Sequence, residues 1–125
     1  MNELVFAKME GAGNDFIVLE GVPPEGANRA QWITQLCDRR RGIGADGVLW
    51  MEPTTDGPHA FRMHFFNNDG GRVNLCLNGG RCVAQRAVDL GWASGSFSFQ
   101  TEKGELQAEV NESGVALALA APTQL

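Results

Sequence analysis

Asn67-Asn68-Asp69-Gly70-Gly71-Arg72-Val73-Asn74-Leu75-Cys76-Leu77-Asn78-Gly79-Gly80-Arg81-Cys82 begins as a Gly/Asn-rich loop and ends inside a helix. The spacing predicts that helix from about Asn78 to Leu90. Gly80, Val83, Ala84 and Ala87 form its apolar stripe, and Gly91 stops it. Cys76 stands where loop becomes helix. A thiolate there meets unpaired backbone N–H groups and the positive end of the helix dipole. That setting marks Cys76 as a candidate reactive cysteine. Asn67, Asn68, Asp69, Asn74 and Asn78 are poor core residues, and the four glycines let backbone approach a ligand. A cysteine used only for packing needs neither. Cys82 lies six residues on, about 240° further round an ideal helix, and reads as a packed thiol. Cys37 reads as core.

Upstream of this run, Leu4–Met9 and Asp15–Glu20 read as strands around the loop Glu10-Gly11-Ala12-Gly13-Asn14. A helix is expected from about Arg29 to Arg39, with Asn28 as its cap and Trp32, Ile33, Leu36 and Cys37 on one face. Arg39, Arg40 and Arg41 then fall at its C-terminal end, where cations are favoured. Gly47–Met51 is a strand, followed by a loop over 52–58. Ala60–Asn67 alternates, with Phe61, Met63 and Phe65 on one face and Arg62, His64 and Phe66 on the other. His64 reads as a surface-facing strand residue. Downstream, Ser96–Thr101, Glu105–Val110 and Val115–Ala120 are strands joined by turns at Lys103-Gly104 and Glu112-Ser113-Gly114. About seven strands and two helices in this order predict an α+β fold in one domain, 1–125. The sheet is mainly antiparallel and curled around a central helix, with one further helix.

The 125 residues are 43% hydrophobic and 20% charged, as in an ordinary soluble globular domain. A net charge of −5 argues against nucleic acid or anionic membranes as partners. No apolar run approaches the roughly 20 residues of a membrane span. The start Met1-Asn2-Glu3-Leu4-Val5 lacks the basic region of a secretory signal. With three cysteines, an odd count, reduced thiols in the cytoplasm are expected. Neither CxxC nor HExxH spacing occurs, so no metal site is expected. Gly42-Ile43-Gly44-Ala45-Asp46-Gly47 fits GxGxxG, but it follows a helix and opens a strand. A dinucleotide fingerprint does the reverse, so the run reads as a tight loop beside a site.

Four blocks together carry a resemblance: Gly11-Ala12-Gly13-Asn14-Asp15-Phe16, Arg41-Gly42-Ile43-Gly44-Ala45-Asp46-Gly47, Phe66-Asn67-Asn68-Asp69-Gly70 and Cys76-Leu77-Asn78-Gly79-Gly80-Arg81-Cys82. In order and spacing the chain resembles the N-terminal half of the diaminopimelate epimerase family. The resemblance implies a cofactor-independent epimerase that interconverts LL- and meso-diaminopimelate, in lysine and peptidoglycan precursor synthesis. Two cysteines face opposite sides of the α-carbon, and no cofactor or metal takes part. By position, Cys76 resembles the first of these cysteines. Asn14, Asn67 and Asn78 resemble residues that hold the substrate's polar groups. Backbone N–H groups around Leu77, Asn78 and Gly79 resemble a carboxylate site at a helix end.

Two positions depart from the family pattern. Leu77 stands where the family usually has Gly, and Gly47 where many members have a substrate-touching Gln. The resemblance also implies a second half-domain, in cis or in trans, that carries the other cysteine and a Glu-Arg pair. The family's last strand, which returns to the first half, is another expected absence, leaving an exposed edge. A homodimer would instead set two copies of Cys76 across one cleft. The competing readings are a related amino-acid racemase of the same fold and a non-catalytic half-domain that binds a carboxylate.

Overall fold

The computed structural model describes residues 5–54, 57, 59–73 and 76–119. Leu4, Asn74, Leu75 and the segment from Ala120 onward lie outside them. One sheet takes the strands in the order β1 (Ala7–Gly11), β2 (Asn14–Glu20), β3 (Gly47–Pro53), β4 (Phe61–Asn67), β6 (Ser96–Thr101), β7 (Gly104–Asn111) and β8 (Gly114–Leu119). The short β5 (Arg72–Val73) pairs with β4 off this path. Two joins are parallel, β2 with β3 and β4 with β6, and the rest are antiparallel. Parallel neighbours need a crossover. Helix α1 (Arg29–Cys37) lies in the first crossover and α2 (Leu77–Asp89) in the second. The strands of one parallel pair run opposite to those of the other. Two crossovers of one hand that step the same way along the sheet then fall on opposite faces.

The strand pattern shows both faces in use. On the α2 face, Phe16, Val18, Leu49, Met51, Phe61, Met63 and Phe65 pack with Val83, Ala84 and Ala87. On the α1 face, Ile17, Leu19, Val48, Trp50 and Phe66 pack with Ile33 and Cys37. Strands covered on both sides read as unbroken apolar runs, which explains Phe16–Leu19 and Val48–Met51. Both ends of the sheet reach α2. Gly11 of β1 lies beside the Asn78 carbonyl and Cys82 Sγ, and Leu117 of β8 lies against Gly80. The curled sheet around a central helix is therefore present, with a buried Cys82 and Cys37 as expected.

The end of α2 follows the sequence closely. Gly91 takes φ 80°, its N–H reaches the Val88 carbonyl, and the Trp92 N–H reaches the Ala87 carbonyl. This paired closure at a left-handed glycine satisfies carbonyls that a helix end leaves open.

Other readings are corrected. The first strand runs Ala7–Gly11, later than expected, and α1 stops at Cys37. Asp38 turns extended (φ −63°, ψ 127°), and its carboxylate accepts from the Arg40 and Arg41 N–H groups. The three arginines thus lie beyond the helix. Asn28 occupies the N-cap position of α1, yet its side chain makes no capping bond. His64 is buried, 7% exposed, rather than surface-facing. Its Nε2 lies 2.8 Å from Glu52 and its Nδ1 3.2 Å from Arg72 Nη1. Arg72 belongs to β5, two residues within the Gly/Asn-rich run, and supplies the cover over His64 that strand alternation does not show.

Candidate functional site

Cys76 is the N-cap residue of α2, with extended backbone (φ −143°, ψ 109°). Its Sγ accepts from the Gly79 N–H at 3.3 Å, while its carbonyl receives the Gly80 N–H at 2.8 Å. A sulfur in the cap position takes one of the donors that every helix start leaves unpaired. The half-buried thiol sits on a tightly packed helix start. A Cβ at Gly79 would stand 3.1 Å from Leu49 and 3.4 Å from Cys76 Sγ. Leu77 follows at the first helical position, 44% exposed. The cap and first turn form normally around it, so this side chain does not disturb the helix start.

Asn78 turns its amide toward the β1–β2 hairpin. Its Nδ2 donates to Asn14 Oδ1 at 2.9 Å, and Asn14 Nδ2 donates to Asp46 Oδ2 at 3.2 Å. At the other end, Arg81 Nη1 donates to Asn78 Oδ1 at 3.0 Å. Three separated blocks of sequence therefore meet in one chain of hydrogen bonds beside Cys76. The Gly42–Gly47 loop does lie beside this cluster, through Asp46. Asp46 also accepts from the Asp15 N–H at 3.1 Å and from Arg39 at 3.2 Å. Arg39 spans both carboxylates, with two bonds of 2.9 Å to Asp15. Asp46, Arg39 and Arg81 join this cluster without having been among the candidate site residues. The available signals were a charge set against a buried strand and an Arg three residues after Asn78 on one helix.

Asn67 ends β4, opposite Gly47, and its side chain is exposed. Its backbone starts a turn: its N–H bonds the Gly71 carbonyl and its carbonyl takes the Gly70 N–H, both at 2.9 Å. Register places Gly47 beside Phe16, two residues beyond Asn14, so Asn14, Gly47 and Asn67 share one end of the sheet. A broad depression lined by Lys8, Glu10, Gly13, Asp15, Arg39 and Asp46 adjoins this cluster, and Cys76 is not among its walls. Among the described residues, no three His, Cys, Asp or Glu converge where they could hold a metal ion. No helix among them is long and apolar enough to cross a membrane.

Cys37 and Cys82 are buried, and Cys76 is half-buried at the helix start. Burial pushes Cys82 up to about 11, with a smaller push from Cys76. Burial likewise pushes Cys37 up to about 11. Both stay protonated at neutral pH and react slowly, since the thiolate is the nucleophile. Iodoacetamide at pH 7.5 is therefore expected to alkylate Cys76 first, read by peptide mass mapping. Equal labelling of Cys82 would contradict this order.

The Arg39 guanidinium, more than any other group, holds the Asp15 carboxyl well below the usual carboxylate range. Lys8 and the Asp46 N–H assist, and partial burial opposes. A carboxyl depressed in the folded state stabilises it above the unfolded value near pH 4, and that stabilisation fades as pH falls further. Asp15→Asn is expected to lower Tm at pH 7. The gap from the unsubstituted protein should shrink on acidification by roughly two units below pH 4. A pH-independent gap would assign the loss to packing instead.

A curled sheet wrapped on a helix is an architecture shared with solved structures titled as an isomerase and an epimerase. A methylitaconate-delta-isomerase structure superposes with TM-score 0.70 at 14% identity, over 97% of this chain and 38% of that one. A hydroxyproline epimerase from Agrobacterium vitis gives TM-score 0.66 at 14% identity, over 90% and 40%. At such identities the likeness is one of fold alone, the curled sheet and central helix these structures have in common. Sequence narrows it. The family model for diaminopimelate epimerase matches residues 6–122, and the chain belongs to that family. It is 40% identical over 115 residues to the diaminopimelate epimerase of Chromobacterium violaceum, covering 91% of this chain and 42% of that protein. It is 41% identical over 117 residues to that of Paraburkholderia phytofirmans, covering 92% and 39%. The chain thus spans roughly two fifths of the length of these relatives.

Proposed function

We propose that this chain is the N-terminal half of a cofactor-independent amino-acid epimerase acting on diaminopimelate. The observation that carries the reading is Cys76 Sγ capping the start of α2, the same first turn whose Asn78 is bonded to Asn14, in a chain of this family. The α-proton of an amino acid is weakly acidic, so removing it needs donors already in place for the charge that develops. The helix start supplies backbone N–H groups at Leu77 and Asn78 for the carboxylate. Asn14 and Asn78 supply amides, and Asn67 stands at the same end of the sheet. The Cys76 thiolate takes the α-proton and becomes a thiol. A second thiol, on the opposite face, gives its proton to the carbanion and becomes the thiolate, so inversion leaves the total proton count unchanged.

Cys82 is a poor candidate for that second thiol. It is buried against Gly11, and burial opposes the thiolate that giving up its proton would leave. The second thiol comes instead from a second half-domain, in cis or in trans. Wash-in of solvent deuterium at the α-carbon of diaminopimelate tests the reading, with the mass in solution measured alongside. Exchange together with inversion supports an epimerase site. Binding without exchange would support the carboxylate-binding half-domain. Exchange by a homodimer of this chain would trace the second thiol to a symmetry-related Cys76.

A further inference from the structure

The structure assigns a positioning role to Arg81 and Asp46, which act through Asn78 and Asn14 at the ends of one directional hydrogen-bond chain. This inference rests on the proposed site and deepens it. An amide side chain can flip, exchanging its oxygen for its nitrogen, and the two orientations present opposite polarity to a ligand. Nothing in an isolated Asn pair selects one orientation. Here both ends of the chain are fixed by chemistry. Arg81 can only donate, so the atom of Asn78 facing it must be Oδ1, at 3.0 Å. Asn78 then turns Nδ2 toward Asn14, which must offer Oδ1, at 2.9 Å. Asn14 is left with Nδ2 toward Asp46, whose carboxylate can only accept, at 3.2 Å.

The polarity set at Arg81 and the polarity required at Asp46 agree, so a single arrangement satisfies all three bonds. Flipping either amide breaks two bonds at once. Asp46 is itself held in place, since its Oδ1 takes Arg39 and its Oδ2 also takes the Asp15 N–H. Each asparagine spends one N–H within the chain and, among the described residues, keeps the other for a ligand's acceptor atom. A substrate carboxylate or developing negative charge is such an acceptor. Charge-assisted bonds at the two termini polarise the links between them.

The test reads the side-chain amides of Asn14 and Asn78 by nitrogen-15 NMR of the protein. In each NH2 pair, one proton is bonded and one is spare, so the two shifts should be widely split and exchange with solvent at different rates. Arg81→Met removes the donor and keeps the stem. It is expected to narrow the splitting at Asn78 and also at Asn14, which Arg81 does not touch, by at least half. Arg81→Lys restores a donor and should restore both signals. Backbone spectra of all three proteins should agree away from the site. Asp46→Asn approaches from the other end and should disturb Asn78 through Asn14.

An Asn14 pair unmoved by Arg81→Met, or a change at Asn14 that Arg81→Lys fails to reverse, would overturn the assignment. The readout needs no turnover. A relay that holds in a protein without α-exchange leaves the positioning intact and removes the epimerase reading. α-Exchange with no relay does the opposite.

Discussion

Replacing Cys76 with serine is expected to lower α-deuterium exchange by about 10²–10⁴-fold while leaving the fold as stable as before. The two halves of that expectation come from two jobs of one atom. As a cap, Cys76 Sγ accepts from the Gly79 N–H. Serine is among the best residues for that bond, whereas alanine forgoes it at a cost of about 1 kcal/mol. In the proposed reaction the thiolate is the base, and a hydroxyl offers no counterpart to it at neutral pH. Cys76→Ser therefore separates the two jobs, and Cys76→Ala loses both. Exchange kinetics and thermal melts of the two variants check the scheme. A serine variant that still exchanges at more than a tenth of the original rate would move the base elsewhere. A serine variant that melts well below the alanine variant would deny the capping role.

The second large effect is expected at Gly47. A Cβ there would stand 2.6 Å from Phe65 Cε1 and 2.7 Å from the Phe66 carbonyl oxygen. The ring belongs to a buried residue that meets Phe16 edge-on at 5.7 Å. The carbonyl belongs to the strand paired with β3, where Val48 faces Phe66, so it has little room to retreat. Gly47→Gln is expected to cost about 1–3 kcal/mol by overpacking, which lowers Tm by roughly 5–15 °C in a chain of this size. Combining Gly47→Ala with Phe65→Leu should recover part of the loss of Gly47→Ala, because the ring clash is then relieved and the carbonyl clash is not. A Gln variant melting within a degree of the unsubstituted protein would mean that the Phe65 ring and the Phe66 carbonyl both give way freely. Phe65 fills the room that a longer side chain at position 47 would need. The glycine is thus a matched half of a pair and not a vacancy in the site.

What was legible in the sequence follows from which interactions are local. The stripe Gly80, Val83, Ala84 and Ala87 and the stop at Gly91 are helix properties, set within a few residues, and both appear in α2. The turns expected at Lys103-Gly104 and Glu112-Ser113-Gly114 do join β6 to β7 and β7 to β8, with Gly104 (φ 127°) and Gly114 (φ 132°) opening the next strands. The position of Cys76 at a helix start is legible because a loop rich in Asn and Gly beside a helix is itself a local pattern. His64 was misread because strand alternation tells which side a residue faces and not what lies above it. Its cover comes from Arg72 in the two-residue β5, too short to leave a period. The end of α1 was misread because the basic run suited a helix end, while Asp38 competes by bonding the backbone N–H groups of the next residues. Asp46 and Arg81 were missed for a similar reason. Each matters through a partner remote in sequence or through the direction of a hydrogen bond, and neither is written in spacing.

The meeting of both sheet edges on α2 has a kinetic consequence. Gly11 reaches Asn78 and Cys82, and Leu117 reaches Gly80, so the helix start is enclosed by segments from near opposite ends of the described chain. Contacts between residues so distant in sequence carry the loop-closure entropy that slows folding. The helix itself can form early from local turns, but its first turn gains neighbours only as each edge strand arrives. The thiol's surroundings are then among the last features to be assembled. A nascent chain would pass through stages in which a helix already exists and Cys76 still lacks the walls around it.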